Sequence, residues 1–225
     1  MKLPNKTLEK KLFKSGYQYV FGVDEVGMGC LAGPVVVCTV SVTKDFYKKS
    51  HPRLRGLRES KLLSAIQRER FAKELVKEKD FVYAISCVSS KVIDKINIYQ
   101  AAREAMRNAI KKLIRDLGFK IHESIFVNHK SKIMVLVDGP HKIKVIEHDQ
   151  QAVIKGDRKV FAIACASIIA KVHRDKMMAR YAKKYPNYGF EKHKGYGTRY
   201  HQVQLVTLGP CEIHRRSFAP MRKLV

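Results

Sequence analysis

Asp24 and Glu25 stand side by side in Val23-Asp-Glu-Val-Gly27, at the end of an apolar run, Tyr17-Gln-Tyr-Val-Phe-Gly-Val23, that reads as a strand entering a core. Acidic side chains are mostly exposed in globular proteins, and burying one is costly unless it is paired or holds a metal. Two further acids share this setting. Asp138 closes the apolar run 132–137 and is followed by Gly139, while Asp157 lies in Lys155-Gly156-Asp157, ahead of a long apolar stretch. Each has a plain alternative, because Asp-Gly is a common turn pair and Asp157 suits a helix cap. Taken together, carboxylates converging from strand ends would repel one another unless protons or divalent cations intervened. Hard cations such as Mg2+ or Mn2+ take oxygen ligands and commonly complete their shell with substrate phosphate. A pair of them roughly 3.5–4 Å apart can activate water and stabilise a leaving oxygen in phosphodiester cleavage. Spacing along the chain does not by itself establish convergence.

The elements that must position these acids follow from periodicity. Strands are predicted over 18–24 and 34–42, the second rich in valine and threonine, with a Gly27-Met28-Gly29-Cys30 turn between them. A polar, basic stretch leads to a helix whose start is marked by a Ser64–Gln67 capping box, with Phe71 and Leu75 on one face. A third strand covers 81–88. A helix over 99–117 carries the stripe Ala102, Met106, Ala109, Ile110, Leu113 and Leu117, with Gly118 placed to cap it. A fourth strand covers 132–137 and a short fifth one 143–147. The helix over 161–183 is apolar on nearly all sides in its first half and so should be buried. A Gly/Tyr/Lys-rich loop over 185–200 and a short helix over 201–208 complete the chain. The expectation is one mixed α/β domain over 17–225, with a C-terminal helical extension from about 184, preceded by a mobile basic arm over 1–16.

Composition bounds the partners. The 225 residues carry 45 Lys+Arg against 20 Asp+Glu, a formal net charge of +25, which points to a polyanion. A membrane surface finds no support. The longest apolar run, 35–42, is interrupted by Thr39 and Ser41 and falls far short of the ~20 residues a spanning helix needs. The five cysteines include no Cys-x-x-Cys pair and are expected as reduced core thiols of a cytoplasmic protein. Lys61, Lys155, Lys192, Lys194, Arg199, His214, Arg215 and Arg216 cluster near the motif segments, and Tyr185, Tyr188, Phe190, Tyr196 and Phe218 are interleaved with the later ones. Cations for phosphates and rings for sugars are what a groove along a nucleic acid requires. Lys111, Lys112 and Arg115 read instead as a solvated helix face, and Asp175 as a salt-bridge partner.

The motifs Gly22-Val-Asp-Glu-Val-Gly27, Leu31-Ala-Gly-Pro-Val35, Glu59-Ser-Lys61, Asp138-Gly139, Lys155-Gly-Asp157, Ala166-Ser-Ile-Ile-Ala-Lys-Val172, Lys194-Gly-Tyr-Gly-Thr198 and Ile213-His-Arg-Arg-Ser-Phe-Ala-Pro220 run in order from 22 to 220. The chain resembles ribonuclease HII, the type 2 ribonuclease H family, and its tail motifs are similar to the bacterial branch. The resemblance implies a ribonuclease H-like fold, a five-stranded mixed sheet flanked by helices. It also implies an endonuclease cutting RNA in RNA–DNA hybrid duplexes and at single ribonucleotides in DNA, leaving 3′-hydroxyl and 5′-phosphate ends. By motif match Asp24, Glu25, Asp138 and Asp157 would be the catalytic carboxylates holding two divalent ions, Mg2+ or Mn2+. Gly27, Met28, Gly29, Ser60, Lys61, Lys194, Tyr196, His214, Arg215 and Arg216 would contact substrate, with Tyr196 stacking on the sugar beside the RNA–DNA junction. Glycines at 27 and 29 would let the backbone approach a ribose 2′-hydroxyl. A monomer is expected.

Three positions depart from the family pattern. Met28 stands where arginine is usual, which removes a phosphate-reaching cation. Glu59 replaces aspartate, and Pro140 replaces asparagine. The rival reading is a non-catalytic basic nucleic-acid-binding protein, which explains the charge but gives no reason for acids at strand ends.

Overall fold

Valine-rich segments with apolar residues on both faces make a central sheet that must be covered twice, and helices cover it on each side. In the computed structural model, which describes residues 3–120 and 132–222, the order is α1 (Thr7–Lys14), β1 (Tyr19–Val26), β2 (Val35–Val42), α2 (Ala65–Lys77), β3 (Phe81–Val88), α3 (Ser90–Ile96), α4 (Ile98–Lys120), β4 (Ile133–Asp138), β5 (Asp149–Val153), α5 (Gly156–Lys159), α6 (Phe161–Lys184), α7 (Phe190–His193), α8 (Arg199–Leu208) and α9 (Ala219–Arg222). The five-stranded sheet runs β3-β2-β1-β4-β5. β1–β2 and β2–β3 are antiparallel, whereas β1–β4 and β4–β5 are parallel.

Strand alternation divides the core in two. Val20, Val36, Cys38, Val40, Met134 and Leu136 pack against α2 and α6, while Phe21, Val23, Val35, Val37, Val135 and Val137 pack against α4. Gly22 is required on β1, because a Cβ there would collide with the Ala162 backbone. α6 therefore lies directly on the strand that carries Asp24 and Glu25. A third cluster, Leu31, Ala32, Met178, Ala182, Tyr188, Phe190, Leu205, Ile213 and Met221, fastens the extension to α6 and to the loop after β1.

The capping box is present, with Ser64 Oγ accepting from the Gln67 N–H and Gln67 Oε1 accepting from the Ser64 N–H. Four expectations need correction. The segment expected as a mobile arm holds a docked helix among its described residues: α1 packs on the fold, with Phe13 and Glu9 buried. Glu9 Oε1 accepts from the Ala162 N–H at 3.0 Å and from the Tyr47 hydroxyl at 3.4 Å, so it caps the start of α6 from another element. β1 continues two residues past Asp24. The fifth strand is 149–153 rather than 143–147, a polar edge strand whose Gln150 side chain bonds both backbone groups of Ile143. Val145, apolar in the pattern, is exposed with φ +63. Finally, α4 runs through Gly118 instead of ending there.

Candidate active site

Register brings the first two acids together. Val23 pairs with Val137 across the parallel β1–β4 ladder, so Asp24 and Asp138 each stand one residue beyond that pair on neighbouring strands. β1 remains paired to β2 there, Asp24 opposite Cys38. The turn after β5 delivers the third. Lys155 takes a left-handed backbone, φ +56, and the Gly156 N–H donates to Asp138 Oδ1 at 2.6 Å, which seats Asp157 in the first turn of α5.

Asp24 and Asp157 are buried, and Glu25 and Asp138 half-buried. Burial, then the neighbouring Glu25 and Asp138 carboxylates, push the Asp24 carboxyl well above its ordinary range; the Ser167 hydroxyl pulls it down. Burial, then Asp138, raise Glu25 to about 7, with Lys61 opposing. Burial, then Asp138 and Glu59, raise Asp157 to about 6, against Lys61 and Arg158. Asp138 acts on each of the other three, which places all four acids in one electrostatic neighbourhood. Glu25 Oε2 is buried without a hydrogen-bond partner. An all-oxygen donor set, crowded negative charge and an orphaned carboxylate oxygen fit hard divalent cations. Among the described residues, however, no group of three or more His, Cys, Asp or Glu side chains is placed so that it could hold a metal ion.

The glycine loop is braced from behind by two buried arginines. Gly27 has φ +96, and a Cβ there would collide with Arg174 Nε, so only glycine fits; nothing lies within 4 Å of a Cβ at Gly29, which faces open space. Arg174 donates to the carbonyls of Ala32, Pro34 and Lys194 at 2.8–3.0 Å. Arg215 donates to Met28 and Gly33 carbonyls, both at 3.0 Å. Short bridges pair Cys30 with Tyr196 and Ala32 with His214, which brings the Tyr196 ring, 38% exposed, beside the loop. Lys171 Nζ and Arg174 lie 5.9 and 6.0 Å from that ring's centroid.

Several expected substrate contacts turn inward. Arg215 is fully buried and donates to the Met28 and Gly33 carbonyls, so it shapes the loop. His214 is buried against His201. Ser60 is buried and shares a 2.9 Å hydrogen bond with Ser167. Tyr188 and Phe190 stack on each other in the third core cluster. Lys61, Arg216 and Tyr196 remain exposed, Met28 and Lys194 half-buried. As expected, Lys111, Lys112 and Arg115 are exposed, and Asp175 pairs with Lys171 and Arg68.

Three contributors had no role assigned from the sequence. Ser167 links Ser60 to the Asp24 carboxyl. Arg174 staples the loops. Arg158, next to Asp157, forms an ion pair with the buried Glu59, so the longer acid at 59 has its own partner. Ser167, a polar residue in the apolar first half of α6, was the available signal; Arg174 stands among the charged residues of the second half, where nothing marks it out.

A family model described as ribonuclease HII matches residues 21–221. The chain is 46% identical over 211 residues to a ribonuclease HII of Caldicellulosiruptor bescii, covering 94% of this chain and 91% of that protein. Its fold is similar to the ribonuclease H2 from Pyrococcus horikoshii OT3, with TM-score 0.65, 27% identity, and coverage of 92% and 96% of the two chains. It also resembles Bst-RNase HIII, solved in complex with Mn2+, with TM-score 0.62, 17% identity, and coverage of 93% of this chain and 70% of that one.

Proposed function

Since this chain belongs to the ribonuclease HII family, nucleases that cleave the RNA of RNA–DNA hybrids, we propose that it cuts both hybrid duplexes and single ribonucleotides embedded in duplex DNA. Asp24, Glu25, Asp138 and Asp157 would hold two divalent ions, Mg2+ or Mn2+. When bound, such ions supply an activated water and neutralise charge on the leaving oxygen. The observation that carries the proposal is the gathering of Asp24, Glu25 and Asp157 around Asp138, whose charge, together with burial, raises all three, beside the exposed Gly29.

The remaining roles belong to this chain's own side chains. Gly29, exposed and with open space around it, leaves the loop backbone accessible to a ribose, where a backbone amide can read the 2′-hydroxyl that distinguishes RNA from DNA, while the buried Gly27 shapes the turn. The Tyr196 ring offers a stacking face for the adjacent sugar. Lys61 lowers the proton affinity of Glu25 and Asp157 and stands ready for a phosphate, as do Lys194 and Arg216 on the rim. All four acids come from one chain, and the protein is proposed to act as a monomer in the cytoplasm. Among the described residues no helix is long and apolar enough to cross a membrane.

The test is a DNA duplex carrying one ribonucleotide, beside a continuous hybrid, incubated with Mg2+, with Mn2+ or with chelator. Metal-dependent nicking with 5′-phosphate ends is expected on both substrates. Asp24→Asn should abolish turnover and keep or raise duplex affinity, because less negative charge then faces the phosphates. Tight binding without cleavage in either metal would restore the non-catalytic reading.

A further inference from the structure

Behind the exposed face of Tyr196 lies a group of imidazoles to which the reaction assigns nothing. His201 and His214 are almost fully buried and His193 is 8% exposed. His193 and His201 stack with centroids 4.2 Å apart, and His201 Nε2 meets His214 Nε2 at 3.0 Å. Two ring nitrogens can share a hydrogen bond only if one carries the proton and the other does not.

The outer partners settle which is which. His201 Nδ1 faces the Tyr196 carbonyl at 2.9 Å. A carbonyl only accepts, so Nδ1 carries the proton and Nε2 is bare. His214 Nδ1 accepts from the Cys211 N–H at 2.9 Å, so that nitrogen is bare and the proton sits on Nε2, pointing at His201. The Cys211 carbonyl, 3.3 Å from the same nitrogen, already accepts from the His214 backbone N–H. His193 is fixed in the same way, its Nδ1 accepting from the Gly195 N–H and its Nε2 donating to the Tyr188 carbonyl. The hydrogen bonds therefore run in one direction, from Cys211 through His214 and His201 to the main chain of Tyr196.

We propose that His201 and His214 form a tautomer-locked relay that positions the Tyr196 loop, and through it the ring offered to the substrate sugar. The relay ties that loop to the 211–214 segment, which is itself bridged to Ala32. The tyrosine is thus held from behind by His201 and from the side by its bridge to Cys30. Burial keeps both rings neutral, lowering His201 and His214 to about 4. A singly charged pair would still satisfy the His201–His214 bond, but both Nδ1 atoms would then carry protons and the Cys211 N–H would lose its acceptor, so neutrality preserves the direction. Both histidines are positioning residues, and the inference rests on the role of Tyr196 proposed above.

Two measurements test it. In the wild-type protein at pH 7.5, long-range proton–nitrogen NMR of the imidazoles should show His201 protonated on Nδ1 and His214 and His193 on Nε2; any other assignment for the pair overturns the relay, without the need for a variant. Kinetics on the single-ribonucleotide duplex then form a double-mutant cycle. His201→Phe should raise KM about tenfold with kcat within about twofold, and His201→Asn, which keeps a donor for the Tyr196 carbonyl, should recover most of the loss. In a Tyr196→Ala background His201→Phe should have no further effect on KM. Additive effects would overturn the inference alone. An unchanged KM in Tyr196→Ala itself would overturn the proposed role of the tyrosine, and the inference with it.

Discussion

Between the two glycines of the substrate loop, Met28 packs half-buried against the α4 side of the core, as does Phe218, while its carbonyl is held by Arg215. The loop backbone is therefore set by buried groups, and the side chain at 28 is free to decide what its tip presents. With methionine it presents no charge. Arginine carries its head on a long apolar stem, which can lie along the same surface while the guanidinium reaches water. Met28→Arg should tighten binding to a junction duplex and steepen the log affinity–log salt slope by about one unit, the effect of roughly one phosphate contact. Titration at several salt concentrations checks this, and an unchanged slope would remove position 28 from the phosphate-reading set. The acids themselves were legible as residues, because Asp24, Glu25 and Asp138 stand at the ends of apolar runs and Asp157 just ahead of one. Ser60, His214 and Arg215 were not, since a polar type near a motif does not reveal whether its side chain faces substrate or backbone.

At the scale of elements, the site depends on how closely α6 lies on β1. Gly22 on the strand and Ala162, Ala164 and Ala166 on the helix allow that approach, and Ser167 on the same helix can then touch Asp24. Gly22→Ala inserts a methyl where the Ala162 carbonyl and the Ile163 nitrogen already stand 2.6 Å from the ideal Cβ position. Backbone cannot rotate away as a side chain can. The cost should be at least about 2 kcal/mol, a fall of roughly 4–8 °C in thermal midpoint for a chain of this size. Calorimetry checks it, and a midpoint within a degree of wild type would show that the helix can shift. The start of α6 is meanwhile capped by Glu9 from α1, which explains why a segment read as a loose arm is part of the fold. Its helical length was hidden by a lysine-rich composition, and its buried acid had no local signature.

Over the whole molecule, the excess of basic residues suits a polyanionic partner and leaves the few buried titratable groups to set acid stability. In the unfolded chain histidine takes up a proton near pH ~6.5, whereas His201 and His214 resist until about 4 because burial disfavours their charged forms. Between those values the unfolded state binds more protons, so their contribution to stability is full above about 6.5 and declines as pH falls towards 4. Glu25 and Asp157 act in the opposite sense, since their raised values let the folded state take up protons first. Comparing His201→Phe with wild type cancels the carboxyl contribution: the variant should lose less stability between pH 7 and pH 5 in urea titrations, and an equal loss would exclude the histidines as its source. The sequence alone determined the strand and helix pattern of most of the sheet, the four acids that interrupt it and the polyanion expected of its charge, because periodicity and apolar burial are local properties of the chain. Tertiary structure decided the edge strand at 149–153, the docking of α1 and the inward turn of Arg215 and His214. Each of these depends on partners more than 100 residues away or on side chains bonding to backbone, and no local pattern records which distant group a polar residue will meet.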